Sequence, residues 1–425
     1  MRGESDLMDE YIVGIDIGSS KICGAAGKID KQGKLQIAGV KSVACSGLKK
    51  GIVVDIDSTS EAIRSCIEQL NRMIDKEITN VYISLPGGIC ELVPSQGVVA
   101  ISSEDREINK NDVQRVLNAA KVISIPSNKE IIGVIPNEYI IDGFDNIKDP
   151  ISMSGLKLEV DAHVILAQTT IVSNLIKSVR NSGLSVNGIA LEPLVVSQIA
   201  LKKDELKMGS VLLDIGADKI DISVYKDGDI LYTEMIPFGG NTITNDIALC
   251  LKIPFSEADN LKLKYGSLEK PSNLAANTIK VSVGYNDIVN VNYSTLIDII
   301  EARVEEYFIL IKDSLQHSGH LEDIANVIIV GGGVSYFKGI CELGRNVFNI
   351  PVRVGVPEYL GASSPVYNTA VGIIRDVTKS SSYAEPVRKS KETTVYREEQ
   401  QDGRELDSEQ TGVLSKIKGF LADFF

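Results

Sequence analysis

Two stretches of the chain read Asp-Ile-Gly-x-x-Lys-Ile: one runs from Asp16 through Gly18, Ser19, Ser20 and Lys21 to Ile22, the other from Asp214 through Gly216 and Lys219 to Ile220. The match extends outward, so that GIDIGSSKICGAAG (14–27) parallels LLDIGADKIDISVY (212–225). Each copy is an apolar strand, a glycine turn and a second strand leading to a further turn, at Lys31-Gln32-Gly33 or Lys226-Asp227-Gly228. A tight hairpin of this kind turns successive N–H groups toward one point and makes an anion nest. Gly18, lacking a Cβ, lets a phosphate approach the backbone; Ser19 and Ser20 add hydroxyl donors and Lys21 a cation. An aspartate repels phosphate, so Asp16 and Asp214 fit instead as ligands, through water, of a hydrated Mg²⁺ that also meets phosphate oxygens. Two such hairpins facing one another from two lobes would clamp a nucleotide. One such turn alone is a commonplace hairpin; the duplication carries the argument. No GxxxxGK[ST] occurs, which excludes the P-loop motif.

A third element is VIIVGGGVSYFKG (327–339), a buried strand feeding Gly331, Gly332 and Gly333. Bare backbone there would let a flat base or ribose lie against it; the plain alternative is a strand–loop–helix turn that needs glycine for its geometry.

The elements that must position these residues alternate between strand and helix. Strands are expected at 11–17, 35–43 and 81–85. A helix should begin at Ser58, where Ser58-x-x-Glu61 fits a capping box, with Ala62, Ile63, Cys66, Ile67, Leu70 and Met73 at helical spacing. Residues 88–162 read as an inserted α+β module, with strands at 97–102, 130–136 and 138–141 around a helix at 109–123. A strand at 163–167 should resume the main fold, followed by a helix at 170–182 with Gly183 as its cap. The first lobe is thus 8–87, continued by 163–207 and 358–377; the second is 208–240, continued by 317–357. Residues 241–316 read as a mostly helical subdomain with an amphipathic stretch, Leu296–Leu315, behind Ser294. Pro365 suits the first turn of a last helix, 365–377.

Residues 378–411 hold charges of both signs and few aliphatics, too few to bury an ordering core, and are expected to be a flexible linker. Residues 412–425 become apolar again at helical spacing. Val413, Leu414, Ile417, Phe420, Leu421, Phe424 and Phe425 share one face, the pattern of an interfacial helix on lipid.

The chain has 425 residues and a formal charge of -13, which argues against nucleic acid as a partner. Six cysteines lie scattered without CxxC spacing and are expected to be buried, reduced thiols. The three histidines make no metal-ligand set with them. No stretch has the length and apolarity of a membrane span and the first residues lack a signal peptide, so a cytoplasmic start is expected, at Met1 or Met8.

The three motifs resemble the first phosphate loop, second phosphate loop and adenosine loop of the actin, sugar-kinase and heat-shock-chaperone superfamily. Within it the chain resembles the FtsA family of bacterial cell-division proteins over nearly its whole length. The opening VGIDIGSSKICG, GLKKGIVVDID at 47–57, PFGGNTITNDIA at 237–248, EADNLKLKYG at 257–266 and the amphipathic tail carry that resemblance. It implies an α/β, actin-like two-lobed ATPase fold with an inserted α+β subdomain, and Mg-ATP in the cleft. It implies that residues 88–162 serve self-assembly and recruitment of other division proteins, and that 241–316 bind the C-terminal peptide of FtsZ. It places Asp259 and Lys262 at adenine or ribose. Glu192 falls where related proteins hold a carboxylate near the γ-phosphate; it would orient the attacking water, or else simply cap the helix at Pro193. One departure is the second turn, Gly216-Ala217-Asp218-Lys219: Asp218 brings a negative charge toward the phosphates, which implies slow hydrolysis. Two alternatives share the fold: a pilus-assembly scaffold and a small-molecule kinase.

Overall fold

Alternating apolar residues at Val13, Ile15, Ile17 and Ile22 give the first hairpin its buried face, and the same pattern at Val211, Leu213, Ile215 and Ile220 builds the second. A computed structural model describes residues 11–270, 278–283, 288–379 and 385–386. Each hairpin nucleates a sheet of the same plan. In the first sheet, Leu35–Ala44, Lys21–Ile29 and Ile12–Ile17 run as an antiparallel meander, and Asn80–Leu85 and Ser185–Leu191 add in parallel. In the second, Asp229–Ile236, Ile220–Lys226 and Ser210–Ile215 form the meander, and Asn326–Val330 and Val352–Val354 add in parallel. The duplicated motif is therefore the trace of a duplicated sheet, and the fold is the actin-like α/β architecture.

Helices cover the sheets through apolar stripes. Ile56–Ile74 buries Ala62, Ile63, Cys66, Ile67 and Leu70. Its cap is Asp55 rather than Ser58, because the Asp55 carboxylate accepts both the backbone N–H (3.0 Å) and the hydroxyl (2.5 Å) of Ser58. The last α-helix among the described residues, Asn368–Val377, lies against the first hairpin so closely that a Cβ on Gly14 would sit 2.4 Å from the Ala370 carbonyl oxygen.

The inserted module is a four-stranded antiparallel sheet in the order Cys90–Ala100, Lys157–Gln168, Lys129–Ile141, Phe144–Ile147. Helix Lys110–Ala120, capped by Asn109, packs on one face through Val116 and Ala120. Two expectations change here. Residues 163–167 do not return to the main sheet; they complete the strand Lys157–Gln168, paired on both sides within the module. The strands expected at 130–136 and 138–141 are one strand, with the register shifting at Pro136-Asn137, because proline has no N–H to donate to the ladder.

Residues expected to be mostly helical supply helices Gly240–Leu251, Phe255–Tyr265 and Tyr293–His317, but also a hairpin, Thr278–Ser282 with Ile288–Asn292. The long helix is capped by Asn292, two residues before Ser294. Of the cysteines, Cys23, Cys45 and Cys66 are buried, but Cys250 is exposed near the end of its helix. Within the segment expected to be a linker, Glu385–Pro386 pairs with Gly188 and Ile189 at the edge of the first sheet. The amphipathic segment 412–425 lies outside the described residues. Among the described residues no helix is long and apolar enough to cross a membrane.

Candidate functional site

Both turns close in the same way. The Gly18 N–H donates to the Lys21 carbonyl (3.1 Å), and the Gly216 N–H to that of Lys219 (2.9 Å). A Cβ on Gly18 would lie 3.0 Å from the Lys21 carbonyl oxygen and one on Gly216 3.2 Å from that of Lys219. Glycine therefore serves the closure of the turn itself. The two turns meet Gly331–Gly333 around one cavity of about 410 Å³, within the usual range for a small-molecule pocket. Every residue assigned to the nucleotide cleft from the sequence lines it: Asp16 and those of the first turn, Asp214, Gly216 and Lys219 of the second, Asp259, Lys262, Glu192 and the three glycines.

The floor is acidic. Burial, first, and then the charges of Glu192 and Asp214 hold the Asp16 carboxyl well above its ordinary value, opposed by Lys219 and by the Ser84 hydroxyl, which donates at 3.4 Å. Burial and then Glu192 push Asp214 up to about 7, opposed by Lys219 and Lys21. Glu192 starts its helix at the end of strand Ser185–Leu191, and its Oε1 accepts the Thr369 hydroxyl at 3.2 Å. Among the described residues no three His, Cys, Asp or Glu side chains converge as direct metal ligands. Two carboxylates raised first by desolvation and then by the charge of Glu192 suit a hydrated divalent cation, which would favour their ionised forms and bind through water.

Several side chains are committed in ways the sequence did not disclose. Lys21 Nζ reaches across to the Gly332 carbonyl (3.2 Å), joining the two lobes. Ser19 Oγ accepts the Gly51 N–H at 3.2 Å, so the GLKKG stretch buttresses the first turn. Lys219 folds back onto Asp221 of its own hairpin. Lys262 is buried, and its ammonium donates to the Gly240 carbonyl (2.9 Å), Thr244 (2.6 Å) and Asp259 (2.6 Å). An ammonium has three donors, so Lys262 is saturated by the protein and supports the wall. Asp218 is held by the Asn241 side-chain amide at 2.7 Å. The carbonyls of Gly216 and Ala217 accept the Gly240 and Asn241 N–H groups (2.9 and 2.8 Å), so the second turn caps the helix Gly240–Leu251.

The three glycines of the third cluster differ. Gly331 has φ +105, which favours glycine; a Cβ on Gly332 would be 2.7 Å from both Lys21 Nζ and Val366; at Gly333 a Cβ would meet nothing within 4 Å. Sequence reasoning missed Thr369, Ser84, Gly51, Asn241 and Asp221. Gly51 and Asn241 lie within the family-like stretches and could have been flagged; Ser84 and Thr369 carry no local signal. His320 faces Asp323 at 3.1 Å.

Two family models match the chain: "Cell division protein FtsA" over residues 211–372 and "SHS2 domain inserted in FTSA" over residues 87–166. The chain is 35% identical to the cell division protein FtsA of Pseudomonas aeruginosa over 86% of its own length and 88% of that protein's. It is 33% identical to that of Borreliella burgdorferi over 97% of its length and 99% of the relative's. Among solved structures, it resembles a PilM-PilN type IV pilus biogenesis complex (TM-score 0.60, 16% identity, 87% of this chain and 98% of that one). It also resembles MreB5 of Spiroplasma citri bound to ADP (TM-score 0.52, 13% identity, 88% and 98%).

Proposed function

The chain belongs to the FtsA family of cell-division proteins, and on that footing we propose that it binds ATP with Mg²⁺ and assembles into filaments on the cytoplasmic face of the cell membrane at the division site. There it tethers FtsZ and recruits later division proteins. One observation supports the nucleotide part above others: two matching turns from two lobes face a shared cavity floored by Asp16 and Asp214.

In this reading the first turn offers its N–H groups, the Ser20 hydroxyl and Lys21 to the phosphates, and Gly333 offers bare backbone to the nucleoside. Asp16 and Asp214 would hold Mg²⁺ through water, and the ion would neutralise phosphate charge. Glu192, whose carboxylate accepts the Thr369 hydroxyl, would orient an attacking water. The departure at Ala217-Asp218 in the second turn favours slow turnover, well below about 10 per second.

Residues 241–316 would take the C-terminal peptide of FtsZ, 88–162 would serve self-contact and other division proteins, and 412–425 would insert their apolar face into lipid beyond the linker 378–411. Apolar insertion opposed by ordering entropy gives weak binding by one tail; a filament presenting many tails binds firmly. The test is cosedimentation with liposomes, with and without ATP and the FtsZ tail peptide. The intact protein should pellet with lipid in ATP and bring the peptide, and truncation at Thr411 should abolish lipid binding while keeping ATP and peptide binding. Absence of ATP binding by folded protein, or lipid binding that survives truncation, would sink the respective part.

A further inference from the structure

The inserted module leaves the first sheet through Pro86-Gly87-Gly88, and this stem is wedged among the walls of the cavity. Pro86 lines the cavity itself. A Cβ on Gly87 would lie 2.8 Å from the ring of Pro193, the neighbour of Glu192. A Cβ on Gly88 would lie 2.2 Å from Met235 Cβ and 2.7 Å from Asp221 Oδ1. The Gly88 N–H donates to Asp221 Oδ1 at 3.2 Å, while the other oxygen of the same carboxylate pairs with Lys219 of the second turn. Both partners of that ion pair are nearly buried, with side-chain exposures of 12% and 9%.

The duplication shows that Asp221 is not demanded by the hairpin. Asp221 stands opposite Asp214 in the second hairpin; the matching position opposite Asp16 in the first is Cys23. The first hairpin has no stem to hold, and its lysine points to the other lobe. The module meets the second lobe again where Lys148 Nζ pairs with Asp229 Oδ2 at 2.8 Å, at the far end of the strand that carries Met235.

We infer that Asp221 links nucleotide occupancy to the inserted module: phosphates in the cavity draw Lys219 off Asp221, and the carboxylate then releases the Gly88 N–H. A polyphosphate attracts an ammonium more strongly than one carboxylate does. A buried carboxylate left without its cation is costly, so it turns to water and lets go of the stem. The inference rests on the reading that the cavity takes a nucleotide.

The test is hydrogen exchange of the backbone amides at 87–91 with and without saturating Mg-ATP, with occupancy measured separately by calorimetry. In the wild type, ATP should speed exchange at Gly88 by about fivefold or more, the effect of losing roughly one net hydrogen bond. Asp221→Asn still accepts the Gly88 N–H but cannot ion-pair with Lys219, so its exchange should be the same with and without ATP. Gly88→Ala, which displaces the stem, should exchange fast in both conditions. Wild-type protein that binds ATP with no change at Gly88 would overturn the relay, as would Asp221→Asn responding to ATP like the wild type. Folded wild-type protein that binds no ATP would overturn the nucleotide reading as well.

Discussion

The two glycine turns have the same backbone and opposite uses. The first, Gly18–Lys21, is held from behind by Gly51 on Ser19 and leaves Ser20 exposed, while its lysine bridges to the other lobe. The second is bolted down: its carbonyls cap a helix, Asn241 holds Asp218, and Lys219 is folded onto Asp221. A duplicated hairpin thus supplies one turn that presents donors and one that anchors the helix and stem beside it. The Ala217-Asp218 sequence of the second turn makes sense in that light. Ala217 and Asp218 are residues of a scaffold, and the charge of Asp218 is occupied by an amide.

The aspartates are the part the two hairpins share, and there the largest effect is expected. Asp16→Ala and Asp214→Ala should each weaken Mg-dependent ATP binding by about 2–3 kcal/mol, roughly a hundredfold, while Cys66→Ser should leave it unchanged. Isothermal calorimetry with and without Mg²⁺ decides this, and unequal losses would break the symmetry of the pair.

The next effect sharpens the anchoring role of the second turn. A Cβ on Gly239 would lie 2.6 Å from the carbonyl oxygens of both Gly216 and Ala217. Gly239→Ala should therefore cost about 1–3 kcal/mol of stability in thermal or denaturant unfolding, with Gly18→Ala, whose nearest contact is 3.0 Å, costing less.

Proton linkage comes third. Burial and the charge of Glu192 push the Asp214 carboxyl up to about 7 in the folded chain, from an ordinary 3.8. Between those values the native state holds a proton that the unfolded state has lost. The stability of the ligand-free protein should fall as pH rises from about 4 to 7. Mg²⁺ requires the ionised carboxylate, so the Mg-dependence of ATP affinity should grow as pH rises through 7, by less than about tenfold per unit. Calorimetry across that range should show the slope, and Asp214→Asn should flatten it.

The smallest effect belongs to Asp218. Because Asn241 already holds it, Asp218→Asn should change ATP affinity by less than about threefold. A large gain would mean that this charge does face the phosphates.

The hairpins were legible because their signal is local: an apolar run, a glycine turn and another apolar run lie within a few residues of one another. The capping of helix Ile56–Ile74 was misplaced because Asp55 and Ser58 are both cap formers, and only the fold shows which one accepts. The hairpin Thr278–Ser282 with Ile288–Asn292 was absorbed into a helical reading because short β-branched runs carry little periodicity. Lys262 was legible as part of the site but not as saturated, since its acceptors Gly240 and Thr244 lie on another helix. Ser84 reaches Asp16 only through the sheet's crossover order, and Thr369 reaches Glu192 only through the packing of two helices distant in sequence; no local spacing encodes either.

Three adjacent glycines at 331–333 look like one motif but are tied to three different parts of the molecule. Position 331 answers to its own backbone and position 332 to an amine from the opposite lobe; a Cβ at position 333 would meet nothing in the protein within 4 Å. A methyl group at 333 should therefore leave the unfolding transition where it is and be felt solely by whatever enters the cavity. A population of sequences drifting without a ligand to accommodate would lose this glycine first, and one selected for a ligand would keep it. Gly333 is the position at which use of the site and maintenance of the fold come apart.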